Sequence, residues 1–534
     1  MNETDKRVVL KRWSPMIMFA VIAFLSSAGF RDYGLSTDEP LQRNHLLTQA
    51  RHIFMTAGLL RYAPRAVRQA ADLPTYAHRY YGVAGQYPLL LLEYFPVKLN
   101  PRQPLFWEIR HLYSRTIFLL SALAFFFIIT RVSRSAWVRF MGMTLYLTHP
   151  RIHANSFYNI KDLLFLSFMV FSLLCLVRFV EKPTWQRTLW LGMVSAVAIN
   201  IRMMGIVIPC FVMLWLLVAM RRQPRRMIQL ASTYAAVLAV TLFLVWPTLW
   251  MNPLRLFAEA FSHFSNYSVW NGRILFAGQL IRANQPTWYY APVWIGITSP
   301  FFHLFIWGVG IVIMAVDAGR SVIHREARRP IAAHFSLVVV LGSYAAILFF
   351  HSTLYGDWRH LYYLFPMLCV LAAVALEHIR ARSIKAFAAL SLIMALSLAQ
   401  TVLWMVRNHP HQYVYFNPLA GRDWGQKWGR DNWNLSCKHM LRALLEKDRT
   451  PRPLLIFQTK KQDGLFRAKW MLTQDEQAGI QFVGSLKEAD YAIGNYRNVR
   501  GDYPANRFRP LKAYMHIVVD GNKIMTVFKR ARQK

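Results

Sequence analysis

Long apolar runs separated by short polar turns dominate the first three quarters of the chain. About 20 apolar residues cross a bilayer as a helix, and shorter or tilted spans are tolerated. The pattern therefore predicts eleven membrane-spanning helices, of which the third and the fifth have the weakest signal. They are placed at 14–30, 112–131, 137–149, 160–180, 188–202, 205–220, 227–247, 291–316, 333–351, 361–379 and 384–406.

The loops between these runs predict an orientation. Every second loop is short and rich in Arg and Lys, which is typical of cytoplasmic loops. The N-terminus has the charge pattern of a signal peptide, but no small-residue cleavage site follows, so the first run is interpreted as an uncleaved helix. We expect a cytoplasmic N-terminus, a first outer loop at 31–111 and a C-terminus on the outer face.

The first outer loop contains a stretch, 41–62, whose apolar positions follow the period of a helix. Two interpretations stay open for it. The helix either lies in the membrane interface or packs inside a domain formed by the loop.

The hydropathy falls after residue 406, and the pattern of the tail changes to short elements. A helix is predicted at 435–447 and strands at 453–458, 480–485, 490–494, 513–519 and 523–529. The last two strands flank Asp520-Gly521-Asn522, which is a hairpin signal. The predicted fold class is therefore an all-α polytopic membrane domain, 1–406, followed by a small α/β domain on the outer face, 407–534.

Composition and charge agree with a membrane protein. Of the 534 residues 55% are hydrophobic and 17% charged, with 63 Lys+Arg against 26 Asp+Glu. The basic residues lie in short loops and in the tail, which favours anionic lipid as a partner and argues against nucleic acid. Because no Cys-x-x-Cys pair is present, a thiolate metal site is not indicated.

Carboxylates follow the first predicted span: Asp32 and the pair Asp38-Glu39. Ionisable groups at the mouth of a membrane helix are costly, so they are functional candidates. A carboxylate there can take the proton of a hydroxyl acceptor, although Asp-Glu before Pro40 is also a good helix start.

Cations follow in three further segments. Lys161-Asp162 end the polar turn 149–162, where the two side chains could equally pair or cap the next helix. The tract 355–363 offers Arg359 as a forked donor for phosphate and Trp358 or Tyr362 as a stacking face, and Arg202 is isolated between apolar runs. Acids and phosphate-binding cations on one side of a bilayer favour transfer from a lipid-phosphate donor.

These features resemble the GT-C membrane glycosyltransferases, in the branch of protein O-mannosyltransferases and lipid A aminoarabinose transferases. The resemblance is carried by Asp38-Glu39 after the first helix, the long outer loop, and the second outer loop ending in Asn159-Ile160-Lys161-Asp162. The tracts Asp357-Trp358-Arg359-His360 and 409–417 resemble those of a bacterial subgroup of uncertain substrate. The β-trefoil usual in mannosyltransferases is not visible, which puts a protein acceptor in doubt.

The resemblance implies inverting transfer of a sugar from a polyprenyl-phosphate donor to a hydroxyl of an envelope lipid, glycan or protein, at a bacterial inner membrane. Asp38 would be the base with Glu39 supporting it, Asp32 competes with Asp38 for that role, and Asp162 would orient the acceptor or help hold a divalent cation. No cofactor is required, and a divalent metal ion is optional. Lys161, Arg202 and Arg359 are candidates for the donor phosphate, by charge and by side of the membrane. Further substrate contacts are expected from His153, Asn159, Asp357, Trp358 and His360.

Two other classes of function stay open. A lipid or polysaccharide transporter could use the same acids as a proton relay, but it usually shows internal repeats, which are not apparent here. A structural subunit would use the acids only as helix caps.

Overall fold

A computed structural model describes residues 27–95, 99–265, 270, 272–324, 330–448, 452–458 and 463–531. Within these residues, seven helices are long and apolar enough to cross a membrane. They are Pro104–Ile129, Asp162–Glu181, Pro224–Val245, Phe301–Arg320, Ile331–Phe349, Leu364–Arg382 and Ile384–Arg407. The predicted membrane fold is confirmed, and each of these seven helices overlaps a predicted span.

The remaining predicted spans contain shorter helices, are interrupted, or lie mostly outside the described residues. The weak third and fifth spans correspond to Ala136–Leu147 and Trp185–Ile201, and the sixth to Val207–Ala219. The eighth is interrupted near Pro300, with Tyr290–Thr298 preceding the helix that begins at Phe301. Most of the first predicted span, 14–30, lies outside the described residues, so the number of eleven remains a prediction.

Local chemistry explains where several helices begin. Pro104 and Pro224 occupy first turns, where their missing N–H leaves no intrahelical bond unmade. Ser383 caps the last long helix, because its hydroxyl accepts from the backbone N–H of Ala386 at 3.2 Å.

The helix predicted within 41–62 is Asp38–Thr56, and it packs inside the protein. Residues 45–50 are all buried, and six consecutive helical positions cover every face of a helix. This burial favours a packed helix of the loop over a helix lying in the membrane interface, which would bury one face only.

Shorter helical segments connect these elements. They are Ala28–Arg31, Leu60–Tyr62, Arg65–Arg68, Ala84–Tyr94, Pro150–Tyr158, Met203–Ile206, Pro247–Trp250, Pro253–Ser265, Arg359–Leu361, Gln412–Val414, Pro418–Ala420 and Trp424–Lys427. A small hairpin, β1 (Arg273–Phe276) with β2 (Gln279–Arg282), lies in the segment before Tyr290.

The tail folds as the predicted small α/β domain, around one mixed sheet. Its strands are β3 (Leu454–Phe457), β4 (Ile480–Val483), β5 (Tyr491–Asn495), β6 (Leu511–Val519) and β7 (Asn522–Arg530), in the order β4-β3-β5-β7-β6. Its helices are Ser436–Lys447, Asp463–Ala468, Lys469–Met471 and Gln474–Ala478. The hairpin around Asp520-Gly521 is confirmed, since both residues have positive φ and join antiparallel β6 and β7. The boundary at residue 407 stays a prediction.

The tail domain lies against the segment that precedes Asp38. The N–H of Thr37 donates to the carbonyl oxygen of Trp433 at 3.3 Å, and Arg467 donates to the carbonyl oxygen of Thr37 at 3.1 Å. The ammonium of Lys438 donates to the carbonyl oxygens of Arg31 and Tyr33. The tail therefore helps to fix the beginning of the helix that carries Asp38.

Candidate active site

A cavity of about 470 Å³ lies where the Asp38–Thr56 helix meets the ends of several long helices. The polar part of its wall contains acidic and cationic residues that were proposed from the sequence. These are Asp38, Glu39, Asn159, Lys161, Asp162, Arg202, Arg359 and His360. The tertiary fold thus brings together residues from four separate segments of the chain.

The other part of the cavity wall is apolar. It is formed mainly by the helices Val207–Ala219 and Ile331–Phe349 and the residues next to them. These lining residues include Met203, Val207, Ala346, Ile347 and Phe350. The cavity is therefore lined by both charged and apolar residues, and a lipid with a phosphate headgroup offers groups of both kinds.

Asp38 and Arg359 form an ion pair in the cavity wall. Nη1 of Arg359 donates to Oδ2 of Asp38 at 2.7 Å, and the side chains are 9% and 40% exposed, respectively. Burial raises the pKa of Asp38, but Arg359, with Lys161 and Arg497 nearby, outweighs this and holds it below its usual value. The carboxylate is thus ionised at neutral pH and accessible from the cavity.

Glu39 points away from this pair although it is the next residue. Its Oε1 lies 3.0 Å from Nε2 of His111, and its Oε2 accepts from the backbone N–H of Ser36 at 2.8 Å. Because the side chain of Glu39 is buried and accepts a hydrogen bond from the backbone of Ser36, its geometry supports a role in fixing the start of the helix.

Lys161 reaches the same cavity without a carboxylate beside it. Its ammonium lies 3.8 Å from the centroid of the Tyr81 ring, and within the described residues no carboxylate oxygen lies within 4 Å of it. Burial, reinforced by repulsion from Arg202, lowers the pKa of Lys161 well below its usual value. An anion entering the cavity would favour the charged form, so Lys161 suits a ligand that brings negative charge.

Asp162 and Arg202 form a second ion pair. Nη2 of Arg202 donates to Oδ1 of Asp162, while Oδ2 accepts from the amide of Asn159 at 3.0 Å. Asp162 also stands at the start of its helix, where its own N–H donates to Oδ1 of Asn159 at 3.0 Å. Both carboxylate oxygens of Asp162 are therefore used inside the protein, whereas Arg202 keeps part of its surface in the cavity.

In the described part of the chain, no group of three or more His, Cys, Asp or Glu side chains is arranged to hold a metal ion. Because a divalent cation can also be held by one carboxylate together with substrate phosphates, the optional metal ion at Asp162 stays a prediction.

Asp32 lies outside the cavity wall. Its Oδ2 is 2.7 Å from Nε2 of His409, and its side chain is 53% exposed. Of the two acids that compete for the role of base, the fold brings only Asp38 to the cations.

Three of the predicted substrate contacts are also placed away from the cavity. The Trp358 side chain is buried and its Nε1 donates to Oγ1 of Thr298 at 2.9 Å, so it does not offer the predicted stacking face. Asp357 is engaged by Nη1 of Arg151 at 2.8 Å. His153 is buried in the helix Pro150–Tyr158 and does not line the cavity. Asn159 and His360 do line it.

The sequence analysis assigned no individual role to several residues that line the cavity. Trp433, from the tail, and Tyr355 each place a ring on Arg359, with its guanidinium carbon 4.8 Å and 4.9 Å from the ring centroids. Tyr81 and His45, both within 31–111, stack with their ring centroids 4.9 Å apart. The aromatic composition of these segments was visible, but no local pattern distinguishes these rings from ordinary packed side chains.

A family model described as dolichyl-phosphate-mannose-protein mannosyltransferase matches residues 107–250. That stretch includes Lys161, Asp162 and Arg202 and lies between Asp38 and Arg359 in the sequence. No curated protein sequence matches the chain significantly.

Solved structures resemble the whole chain. ArnT from Cupriavidus metallidurans, in a crystal structure with undecaprenyl phosphate, has a TM-score of 0.50 and 14% identity, covering 98% of this chain and 99% of its own. An oligosaccharyltransferase from Archaeoglobus fulgidus has a TM-score of 0.47 and 10% identity, covering 91% of this chain and 70% of its own. The family-model match and the fold shared with ArnT confirm the resemblance to GT-C membrane glycosyltransferases.

Proposed function

We propose that the protein transfers a sugar from a polyprenyl-phosphate donor to a hydroxyl group of an envelope lipid, glycan or protein, with inversion at the anomeric carbon. One observation carries this proposal: Asp38 and the cations Lys161, Arg202 and Arg359 line one cavity whose other wall is apolar. The family-model match and the fold support a glycosyltransferase in general terms.

The donor lipid is proposed from the two kinds of residue that line the cavity. The apolar residues of Val207–Ala219 and Ile331–Phe349 suit a polyprenyl chain, and the cations suit its phosphate. ArnT, which shares the fold, was crystallised with a lipid of this kind, undecaprenyl phosphate.

The proposed reaction uses Asp38 as the general base. Asp38 accepts the proton of the acceptor hydroxyl, whose oxygen forms a bond to the anomeric carbon on the face opposite the phosphate. The bond between the anomeric carbon and the phosphate oxygen breaks, and its electron pair leaves with the lipid phosphate. The products are the glycosylated acceptor, polyprenyl phosphate and a proton held by Asp38.

The cations stabilise the charge that develops on the leaving phosphate. Lys161 and Arg202 already face the cavity, and Arg359 retains N–H groups beyond the one that contacts Asp38. Because the polyprenyl phosphate leaves as a stable phosphate monoester anion, the scheme needs no strong general acid. We expect transfer to proceed in the presence of a chelator of divalent cations.

The decisive experiment is transfer of radiolabelled sugar from polyprenyl-phosphate donors by purified protein, with crude envelope as the acceptor. Asp38→Asn should reduce turnover by about 10²- to 10⁴-fold, the usual contribution of a general base. Asp475→Asn is the matched control, since Asp475 is an exposed acid of the tail.

Two results would contradict the proposal. Equal turnover by Asp38→Asn and the control would remove Asp38 as the base. Absence of transfer from every donor, by wild-type protein that is folded and binds polyprenyl phosphate, would overturn the transferase and favour lipid transport.

A further inference from the structure

Arg359 is held between two aromatic rings that come from different parts of the chain. Tyr355 lies four residues before it, whereas Trp433 belongs to the tail domain. The guanidinium carbon lies 4.9 Å and 4.8 Å from the two ring centroids, within the range of cation–π contacts. The guanidinium is therefore restrained on both rings while Nη1 contacts Asp38.

Trp433 is itself firmly held. Its ring is 7% exposed and meets the Tyr158 ring edge to face at 5.5 Å. The backbone N–H of Trp433 donates to Oδ1 of Asp431 at 3.3 Å, and its backbone carbonyl oxygen accepts from the N–H of Thr37. The same residue thus contacts Arg359 through its ring and the residue before Asp38 through its backbone.

The tail and the start of the Asp38–Thr56 helix also meet closely at Gly34. A Cβ at Gly34 would lie only 2.2 Å from the carbonyl oxygen of Leu435, two residues after Trp433. This close backbone approach ties the loop that carries Trp433 to the segment that carries Asp38.

From these contacts we infer that Trp433 is a positioning residue for the proposed transfer: the tail domain uses its ring to hold Arg359 against Asp38. The inference rests on the proposed function and assigns the tail a part in the active site besides any binding of the acceptor. Trp433 acts through Arg359 and takes no proton itself.

The pH dependence of transfer tests this role, because a loss of packing alone would not change the pH at which Asp38 takes up a proton. Arg359 keeps Asp38 ionised at low pH, so a weaker hold on Arg359 should let Asp38 take up a proton at higher pH. The other charged or titratable groups that act on Asp38 or are affected by it are Lys161, Arg202, Arg497 and His45. None of these residues is changed in the variants proposed here.

The test compares Trp433→Leu, which keeps apolar bulk but loses the ring, with Trp433→Phe, which keeps an aromatic face. We expect Trp433→Leu to lower kcat/KM about tenfold at pH 7 and to move the acid limb of the pH profile upward by about one pH unit. Trp433→Phe should keep most of the wild-type kcat/KM, and its acid limb should lie close to that of the wild type.

Trp424→Leu is the control for loss of a buried ring of the tail. Trp424 is 3% exposed and stacks on Phe416 at 4.6 Å, and it does not line the cavity. We expect its pH profile to match the wild type.

The outcomes separate this inference from the proposed function. If wild type transfers sugar and Asp38→Asn does not, but Trp433→Leu has the acid limb of the wild type, the inference is wrong and the transferase stands. An equal shift in Trp424→Leu would likewise overturn the inference. If the wild type transfers nothing, the proposed function fails, and the inference fails with it.

Discussion

Nη1 of Arg359 lies 2.7 Å from Oδ2 of Asp38, across a separation of 321 residues in the sequence. This contact joins the strongest candidate base of the chain to a candidate phosphate ligand. It also holds the pKa of Asp38 low, against the effect of burial.

The first prediction concerns pH. Because the pKa of Asp38 is lowered, the carboxylate stays ionised at pH values where an ordinary Asp takes up a proton, and the acid limb of kcat/KM should lie below the usual range. In Arg359→Gln the nearest cation no longer offsets the effect of burial, so the pKa of Asp38 should rise. The acid limb of the kcat/KM profile should then move upward by about 1–3 pH units. Profiles of kcat/KM from the lowest pH at which the protein stays folded up to pH 8 would measure this, and an unmoved limb would contradict the role given to the pair.

The second prediction separates the two acids near the first predicted span. Asp32 contacts His409 outside the cavity, whereas Asp38 lines it. Asp32→Asn should therefore change turnover by less than about threefold, compared with the loss of about 10²-fold or more expected for Asp38→Asn. Turnover of both variants under identical conditions checks this, and the reverse order would assign the base to Asp32.

The third prediction concerns the pair between Asp162 and Arg202. Asp162→Ala leaves Arg202 without its carboxylate partner, and breaking a buried pair destabilises by about 3–5 kcal/mol. We expect a loss of stability at the lower end of this range, since the Arg202 side chain is 16% exposed. Thermal unfolding in detergent would show the loss as a fall in Tm.

Asp72→Ala serves as its control. Asp72 pairs with Arg51 at 2.9 Å, but the side chains are 43% and 24% exposed, so the loss should be below about 1 kcal/mol. Equal falls in Tm for the two variants would show that burial of Asp162 does not decide its contribution.

The fourth prediction tests Trp358 as a structural residue. Trp358→Phe removes the hydrogen bond from Nε1 to Thr298 inside the protein and should lower the free energy of unfolding by about 1–3 kcal/mol. The KM for the donor should stay unchanged, because the ring does not line the cavity. Trp137→Phe, at a ring that is 66% exposed, is the control for stability. A raised KM with unchanged stability would restore the sequence-based role of Trp358 in substrate binding.

The fifth prediction concerns the docking of the tail. Gly34→Ala places a Cβ against the backbone of Leu435, which cannot move as a side chain can, so the tail should loosen from the segment before Asp38. Limited proteolysis should cut this variant within the tail faster than the wild type. Gly484→Ala, with no atom within 4 Å of its added Cβ, should be cut at the wild-type rate. Equal rates for all three proteins would show that the contact at Gly34 does not hold the tail.

Local patterns in the sequence determined the elements of this protein. Hydropathy over about 20 residues located the seven long helices, because a membrane span is a property of a continuous run. The turn residues Asp520-Gly521 located the last hairpin, because positive φ at both positions is a local requirement. The same local reading supplied Asp38, Lys161, Arg202 and Arg359 as candidates from their charge at the ends of apolar runs.

Only the tertiary structure decided which candidates meet. Asp38 faces Arg359 and Asp32 faces His409, although both acids follow the same predicted span. Trp358 is enclosed by the helices around it, and Trp433, which carried no signal in the sequence, lies on Arg359. These contacts join residues that are 60 to 377 positions apart, so they depend on how the helices and the tail pack together. No pattern within a short window of sequence contains that information.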